Sequence, residues 1–159
     1  PGEREDSVFL VEWYQGLARL SGDEAMGRVF WGQLQSVRDA VNKEMEVRRA
    51  AGDLRGSLDA DVTLYCTPDL LAQLESVGDE LRFVLITSDA ALAALDDAPG
   101  SAAATELDDL RLEVKVSAND KCERCWHRRA DVGADAAHPT LCTRCVTNVE
   151  GEGEQRRYA

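Results

Sequence analysis

Cys122-Glu-Arg-Cys125-Trp126-His127 is answered by Cys142-Thr-Arg-Cys145, with sixteen residues between the two pairs. Two Cys-x-x-Cys turns at that separation let two chain reversals bring four thiols to the corners of one tetrahedron, the geometry zinc prefers when every ligand is sulfur. A catalytic zinc keeps one position open for water, whereas four soft thiolates complete the shell. The expectation is one structural Zn2+ on Cys122, Cys125, Cys142 and Cys145, a metal that folds its segment and performs no chemistry. Three other uses of the same thiols compete. A pair of disulfides needs an oxidising compartment, yet the sequence shows no signal peptide and the fifth cysteine, Cys66, stands far upstream. A redox Cys-x-x-Cys is ordinarily a single motif and does not explain two. An iron or iron–sulfur centre would use the same spacing. His127 and His138 would replace a thiol only if a cysteine pointed away, so they are read as surface residues or as groups that orient the ligands.

The 159 residues suffice for one good core or two small ones, and a metal implies that one part lacks enough apolar burial. The sequence opens on Pro1 without methionine, which reads as a processed or excised piece. No stretch is apolar enough to span a membrane, and a cytoplasmic location is expected. The net charge of −12 argues against a nucleic-acid partner for the chain as a whole, because phosphate affinity comes from Lys and Arg. Its distribution is uneven. Residues 1–120 hold 11 basic and 24 acidic side chains, while residues 121–159 hold 7 and 6. Arg124, Arg128, Arg129, Arg144, Arg156 and Arg157 gather around the cysteines and the tail, either to solvate a small module or to meet a polyanion.

Residues 1–20 carry Val8, Phe9, Leu10, Val11, Trp13, Tyr14, Leu17 and Leu20, too many large apolar groups for a free tail, and are expected to pack on something. Ser21-Gly-Asp-Glu24 has the form of a capping box and predicts a helix start. Met26, Phe30, Leu34, Val37, Val41 and Met45 then make one apolar stripe, with Asp39–Lys43 and Glu44–Arg48 spaced for i,i+4 pairing, and Gly52 ends it. So long a helix has little to bury against in a chain this size, which suggests one member of a helix bundle. Beyond Gly56 the pattern turns to strand candidates at Val62–Cys66, Leu81–Thr87 and Leu112–Val116, with a short helix between Pro68 and Val77. Ala90–Ala104 reads as a surface excursion. Cys66 falls in a strand as a buried, inert thiol. The fold class is α+β: long N-terminal helices from a helical bundle, a small three-stranded α+β unit, and a C-terminal four-cysteine zinc-ribbon-like module. No phosphate loop and no nucleophile–base constellation is evident, and catalysis by these residues is not expected.

The metal segment resembles a known family. Lys121-Cys-Glu-Arg-Cys-Trp-His127, Asp131-Val-Gly133, His138-Pro-Thr-Leu-Cys142, Arg144-Cys145-Val and the closing Gly153-Glu-Gln-Arg-Arg-Tyr-Ala159 are similar to the C-terminal zinc-binding end of bacterial isoleucyl-tRNA synthetases. Pro1-Gly-Glu-Arg-Glu, Glu12-Trp-Tyr14, Val41-Asn-Lys43, Gly56-Ser-Leu58, Val62-Thr-Leu-Tyr65 and Gly78-Asp-Glu-Leu-Arg-Phe-Val84 extend the resemblance over the whole chain. It implies residues 1–55 as the end of an anticodon-binding helical bundle, 56–118 as an α+β junction and 119–159 as a zinc module that contacts tRNA. It further implies a class I synthetase, monomeric at full length, that uses ATP and Mg2+ to join isoleucine to tRNA(Ile). The HIGH-like and KMSKS-like signatures of that chemistry are missing from these residues, so the catalytic and editing domains would lie elsewhere in the synthetase chain. In this reading Trp126 stacks on a nucleotide of the anticodon arm while Arg124, Arg128, Arg144, Arg156 and Arg157 meet phosphates. The alternative for Trp126 is the small core of the zinc unit. Two other readings are a DNA-repair glycosylase zinc finger, in which a glycine usually stands where Trp126 is, and a zinc-ribbon adaptor that binds protein, which leaves residues 1–20 unexplained.

Overall fold

The computed structural model describes residues 7–17 and 26–158. The Ser21–Glu24 capping box lies outside them. Helix α1 (Arg28–Ala50) buries Phe30, Leu34, Val37, Val41 and Met45, the expected stripe. Gly52 ends it in the left-handed region at φ 81°, where the N–H of Asp53 reaches back to the carbonyl of Arg48. Of the two anticipated surface pairs, Glu44–Arg48 forms at 3.1 Å, while Lys43 reaches across to Glu106 instead.

The chain supplies its own cover for that stripe, which corrects the expectation that α1 lacks a partner here. The cover is a sheet of four strands, not three, in the order β2-β1-β4-β3, built from β1 (Ala60–Cys66), β2 (Asp89–Ala94), β3 (Ala103–Ala104) and β4 (Leu110–Val116). β1 pairs antiparallel with β4 and parallel with β2, so that Leu64 lies between Leu92 and Leu112, and Val62 between Ala90 and Val114. These inward positions join α1, α2 (Pro68–Glu75) and α3 (Leu81–Leu85) in one core, whereas Arg111 and Lys115 of β4 are exposed. Parallel strands need a crossover, and α2 with α3 provides it between β1 and β2.

That crossover displaces the expected second strand. Leu81–Thr87 is not extended: Leu81 and Leu85, four apart, are both buried in α3, and Ile86 then turns the chain at φ 57°. The strand forms later, at Asp89–Ala94, all but its first residue inside the Ala90–Ala104 stretch read as a surface excursion. Residues β-branched enough to look like a strand are overruled by the position of two leucines on one helix face. The anticipated packing of residues 1–20 is not seen among the described residues, where Phe9 is 93% and Trp13 91% exposed. Cys66 is fully buried and free, with burial, then Asp109, pushing its thiol up to about 12. Among the described residues no helix is long and apolar enough to cross a membrane.

Candidate metal centre

Each Cys-x-x-Cys pair sits on a tight turn whose backbone aims inward. The first is the tip of a small antiparallel ribbon in which Lys121 faces Arg128, closed by Cys122 N–H donating to the His127 carbonyl and Trp126 N–H to that of Cys122, both at 2.9 Å. The second opens helix α4 (Thr143–Glu150), with Cys142 as its N-cap and Cys145 in the first turn. Between them Gly133 holds the loop at φ 79°; a Cβ there would stand 2.9 Å from the Pro139 carbonyl oxygen. The carboxylate of Asp131 accepts the Thr143 N–H at 3.0 Å and ties the loop to α4.

The four Sγ atoms of Cys122, Cys125, Cys142 and Cys145 all lie within 4.8 Å of one another, and Cys125 and Cys142 approach to 3.8 Å. Tetrahedral zinc–thiolate bonds of about 2.3 Å place sulfurs about 3.8 Å apart, so the spread fits that ion. Cys122, Cys142 and Cys145 are buried, and among the described residues the hydrophobic side chains packed against them are Cys125, Val132 and Leu141. That is too little apolar surface to hold a module together, and the donor set is what remains to do so. Burial would raise the Cys122 thiol, but N–H groups of Cys125, Cys142 and Arg124 hold it down at about 6. Burial pushes Cys142 up to about 12 and also raises Cys145. The nest therefore combines one thiol poised to ionise with two buried ones whose protons a cation must displace.

Neither histidine joins the cluster. His138 Nε2 lies 3.0 Å from Glu150 Oε1, and His127 Nδ1 sits 3.2 Å from the Cys125 carbonyl oxygen. The His127 ring meets Phe83 edge-on at 5.7 Å, with burial, then Arg144, holding its pKa low.

The residues expected to face RNA fall into two groups. Trp126 is 61% exposed at φ 67°, with the Lys121 ammonium 5.5 Å from its ring, so the core of the module is left to Val132 and Leu141. Arg124, Arg156 and Arg157 are exposed as well. Of the arginines expected there, all but Arg157 also point at side chains of the same chain. Arg124 points Nη1 at Cys145 Sγ (3.7 Å), and Arg144 and Arg156 share Glu154 at 2.8 and 2.9 Å. Arg128 binds Asp59 at 2.7 Å, and Arg129 binds Asp89 at 3.3 Å. Sequence reasoning passed over Lys121, adjacent to a cysteine of the cluster, and Phe83, over whose ring stand Arg82, Arg144 and Arg156 at 4.5, 5.1 and 4.0 Å. Nothing local marks Phe83, because all of these ring neighbours but Arg82 come from the far end of the chain.

Residues 119–148 match the family described as "Zinc finger found in FPG and IleRS". That description covers two proteins, and whole-length similarity separates them. The chain is 52% identical over 160 residues to the isoleucine–tRNA ligase of Marinomonas sp. (strain MWYL1), and 54% identical over 159 residues to those of Pseudomonas paraeruginosa (strain DSM 24068 / PA7) and Shewanella pealeana (strain ATCC 700345 / ANG-SQ1). Each alignment takes in 100% of this chain but 17% of the relative. With that similarity along its full length and the shared finger at residues 119–148, the chain matches the C-terminal region of bacterial isoleucyl-tRNA synthetases.

Proposed function

We propose that this chain is the tRNA-gripping part of an isoleucine–tRNA ligase, in which a Zn2+ on Cys122, Cys125, Cys142 and Cys145 braces a surface for the anticodon arm of tRNA(Ile). On this reading residues 1–55 end a helical bundle, 56–118 form the junction and 119–159 carry the RNA contact. ATP-dependent charging of isoleucine belongs to the remainder of a monomeric, cytoplasmic enzyme, where reducing conditions keep the thiols available as ligands. The observation that carries the proposal is Trp126. A large aromatic ring stands exposed on a left-handed backbone directly after a cluster cysteine, with a cation beside it. Such a conformation costs about 1–3 kcal/mol and persists where the surroundings enforce it, commonly at binding sites. A base stacked on such a ring contributes about 1–3 kcal/mol without needing a particular sequence. Lys121, Arg124 and Arg157 are exposed to meet phosphates, and Arg128, Arg144 and Arg156, each beside a carboxylate, add to the positive field.

Trp126→Ala tests this. Zinc stoichiometry and affinity for an isoleucine tRNA are measured on the same preparation. Retained zinc with an affinity loss of about tenfold or more supports stacking. Unchanged affinity overturns it.

A further inference from the structure

Trp126 lies between two fixed neighbours. On one side is Cys125, a corner of the thiol cluster; on the other is His127, whose ring packs edge-on against Phe83 at 5.7 Å. Phe83 does not belong to the cysteine segment. It stands on α3, in the crossover under the sheet, and its ring is also the floor for Arg144 of α4 and Arg156 of the tail, whose guanidiniums lie 5.1 and 4.0 Å from its centroid. The tail is held in place by Glu80, just before α3, whose carboxylate accepts the N–H groups of Arg157 and Tyr158 at 2.6 Å each. One aromatic side chain therefore touches the residue after Trp126 and two of the arginines expected to face RNA.

We infer that Phe83 is a positioning residue: through His127 it fixes the direction of the Trp126 ring, and its own ring holds the guanidiniums of Arg144 and Arg156. The inference rests on the proposed RNA-binding role. A single rigid peptide link separates His127 from Trp126, and a left-handed residue between two anchored neighbours has few ways to relax. Loss of the Phe83 ring frees one anchor while the thiol corner stays. The ring then samples other directions, and a base must order it again on binding, which weakens affinity.

The test uses the zinc-loaded chain with Trp13→Phe and Trp31→Phe, so that Trp126 is the only indole. The fluorescence anisotropy of Trp126 and the affinity for a synthetic isoleucine anticodon stem-loop are measured for the parent, Phe83→Ala, Phe83→Tyr and, in the otherwise unaltered chain, Trp126→Ala. With zinc stoichiometry unchanged, Phe83→Ala is expected to lower the anisotropy and weaken binding about fivefold to tenfold, and Phe83→Tyr to restore both. If Phe83→Ala fails to fold, Phe83→Leu keeps the apolar volume without the ring and carries the same test. Parental anisotropy in the Ala or Leu variant overturns the inference. So does lowered anisotropy with parental affinity when Trp126→Ala itself binds weakly. If Trp126→Ala binds as well as the parent, the RNA-stacking reading has failed separately, and the anisotropy alone decides whether Phe83 holds the ring.

Discussion

The Nε of Arg128 donates to Oδ1 of Asp59 at 2.7 Å, across 69 positions of sequence. The same arginine gives Nη1 to the Asn119 carbonyl at 3.2 Å, and its backbone N–H goes to Ser88 Oγ at 2.6 Å. These bonds mount the cysteine ribbon on the start of β1 and the turn before β2, while Phe83 and the tail hold it from α3. Arg128→Ala is expected to cost about 2 kcal/mol of stability, the usual worth of a charge-assisted hydrogen bond. Arg157→Ala should leave stability unchanged while weakening tRNA binding and its salt dependence. Thermal unfolding and salt-titrated binding on both variants check the division.

Two carboxylates near the start of β1 should respond to pH in opposite ways. The hydrogen bond from Arg128 holds Asp59 below the usual carboxylate range, so its contribution is complete above about pH 4 and is lost as pH falls through its lowered folded value. Burial raises Asp61, whose Oδ1 has no partner, so its charge destabilises the fold at neutral pH and the penalty fades on acidification. Asp59→Asn should flatten the acid limb of the stability–pH curve. Asp61→Asn should stabilise at pH 7, with the gain vanishing toward pH 4. Denaturant midpoints across that range measure both.

Removing the metal should dismantle one part of the chain and spare the rest. Chelation, or Cys142→Ser, is expected to abolish zinc binding and expose residues 119–158 to proteolysis, because among the described residues little more than Val132 and Leu141 gives the cysteines apolar packing. The sheet and its helices have their own core and should keep their circular dichroism. Cys66→Ser should leave the metal content at one per chain. Limited proteolysis with metal analysis distinguishes these outcomes.

A core position on α1 and a strained position at the end of α3 offer a contrast. Leu34 is essentially inaccessible, and Leu34→Ala should cost about 3 kcal/mol. Ile86, a β-branched residue at φ 57°, sits where a side chain is unfavourable, and its partly exposed side chain contributes little in return. Ile86→Gly should therefore stabilise the chain by about 1 kcal/mol, read from the shift in the urea midpoint.

The parts legible from sequence are those whose signal is local. The α1 stripe has a period of its own, Gly52 marks its end, and two Cys-x-x-Cys turns announce the thiol cluster before any fold is known. Strands β1 and β4 alternate visibly. Asp89–Ala94 does not, because alanine has little preference for a strand; it is extended because β1 offers a parallel edge and the α2–α3 crossover delivers it there. Leu81–Thr87 misleads for the converse reason, its β-branched end drawing attention from the Leu81–Leu85 helical spacing. At the site, residue types picked out the four cysteines that cluster, but the surroundings of the arginines depend on Asp59, Glu154 and Phe83, none of which a local reading connects to them.

Gly133, Asp131 and Leu141 tie down both feet of the loop between the cysteine pairs, whereas Ala134-Asp-Ala-Ala137 at its crest is wholly exposed. Lengthening that crest by a few residues changes the closure entropy only logarithmically, a fraction of about 0.6 kcal/mol. Relatives can therefore be expected to vary in length here while their cysteine turns stay put, and an affinity tag or fluorescent reporter grafted between Asp135 and Ala136 would burden the metal nest least.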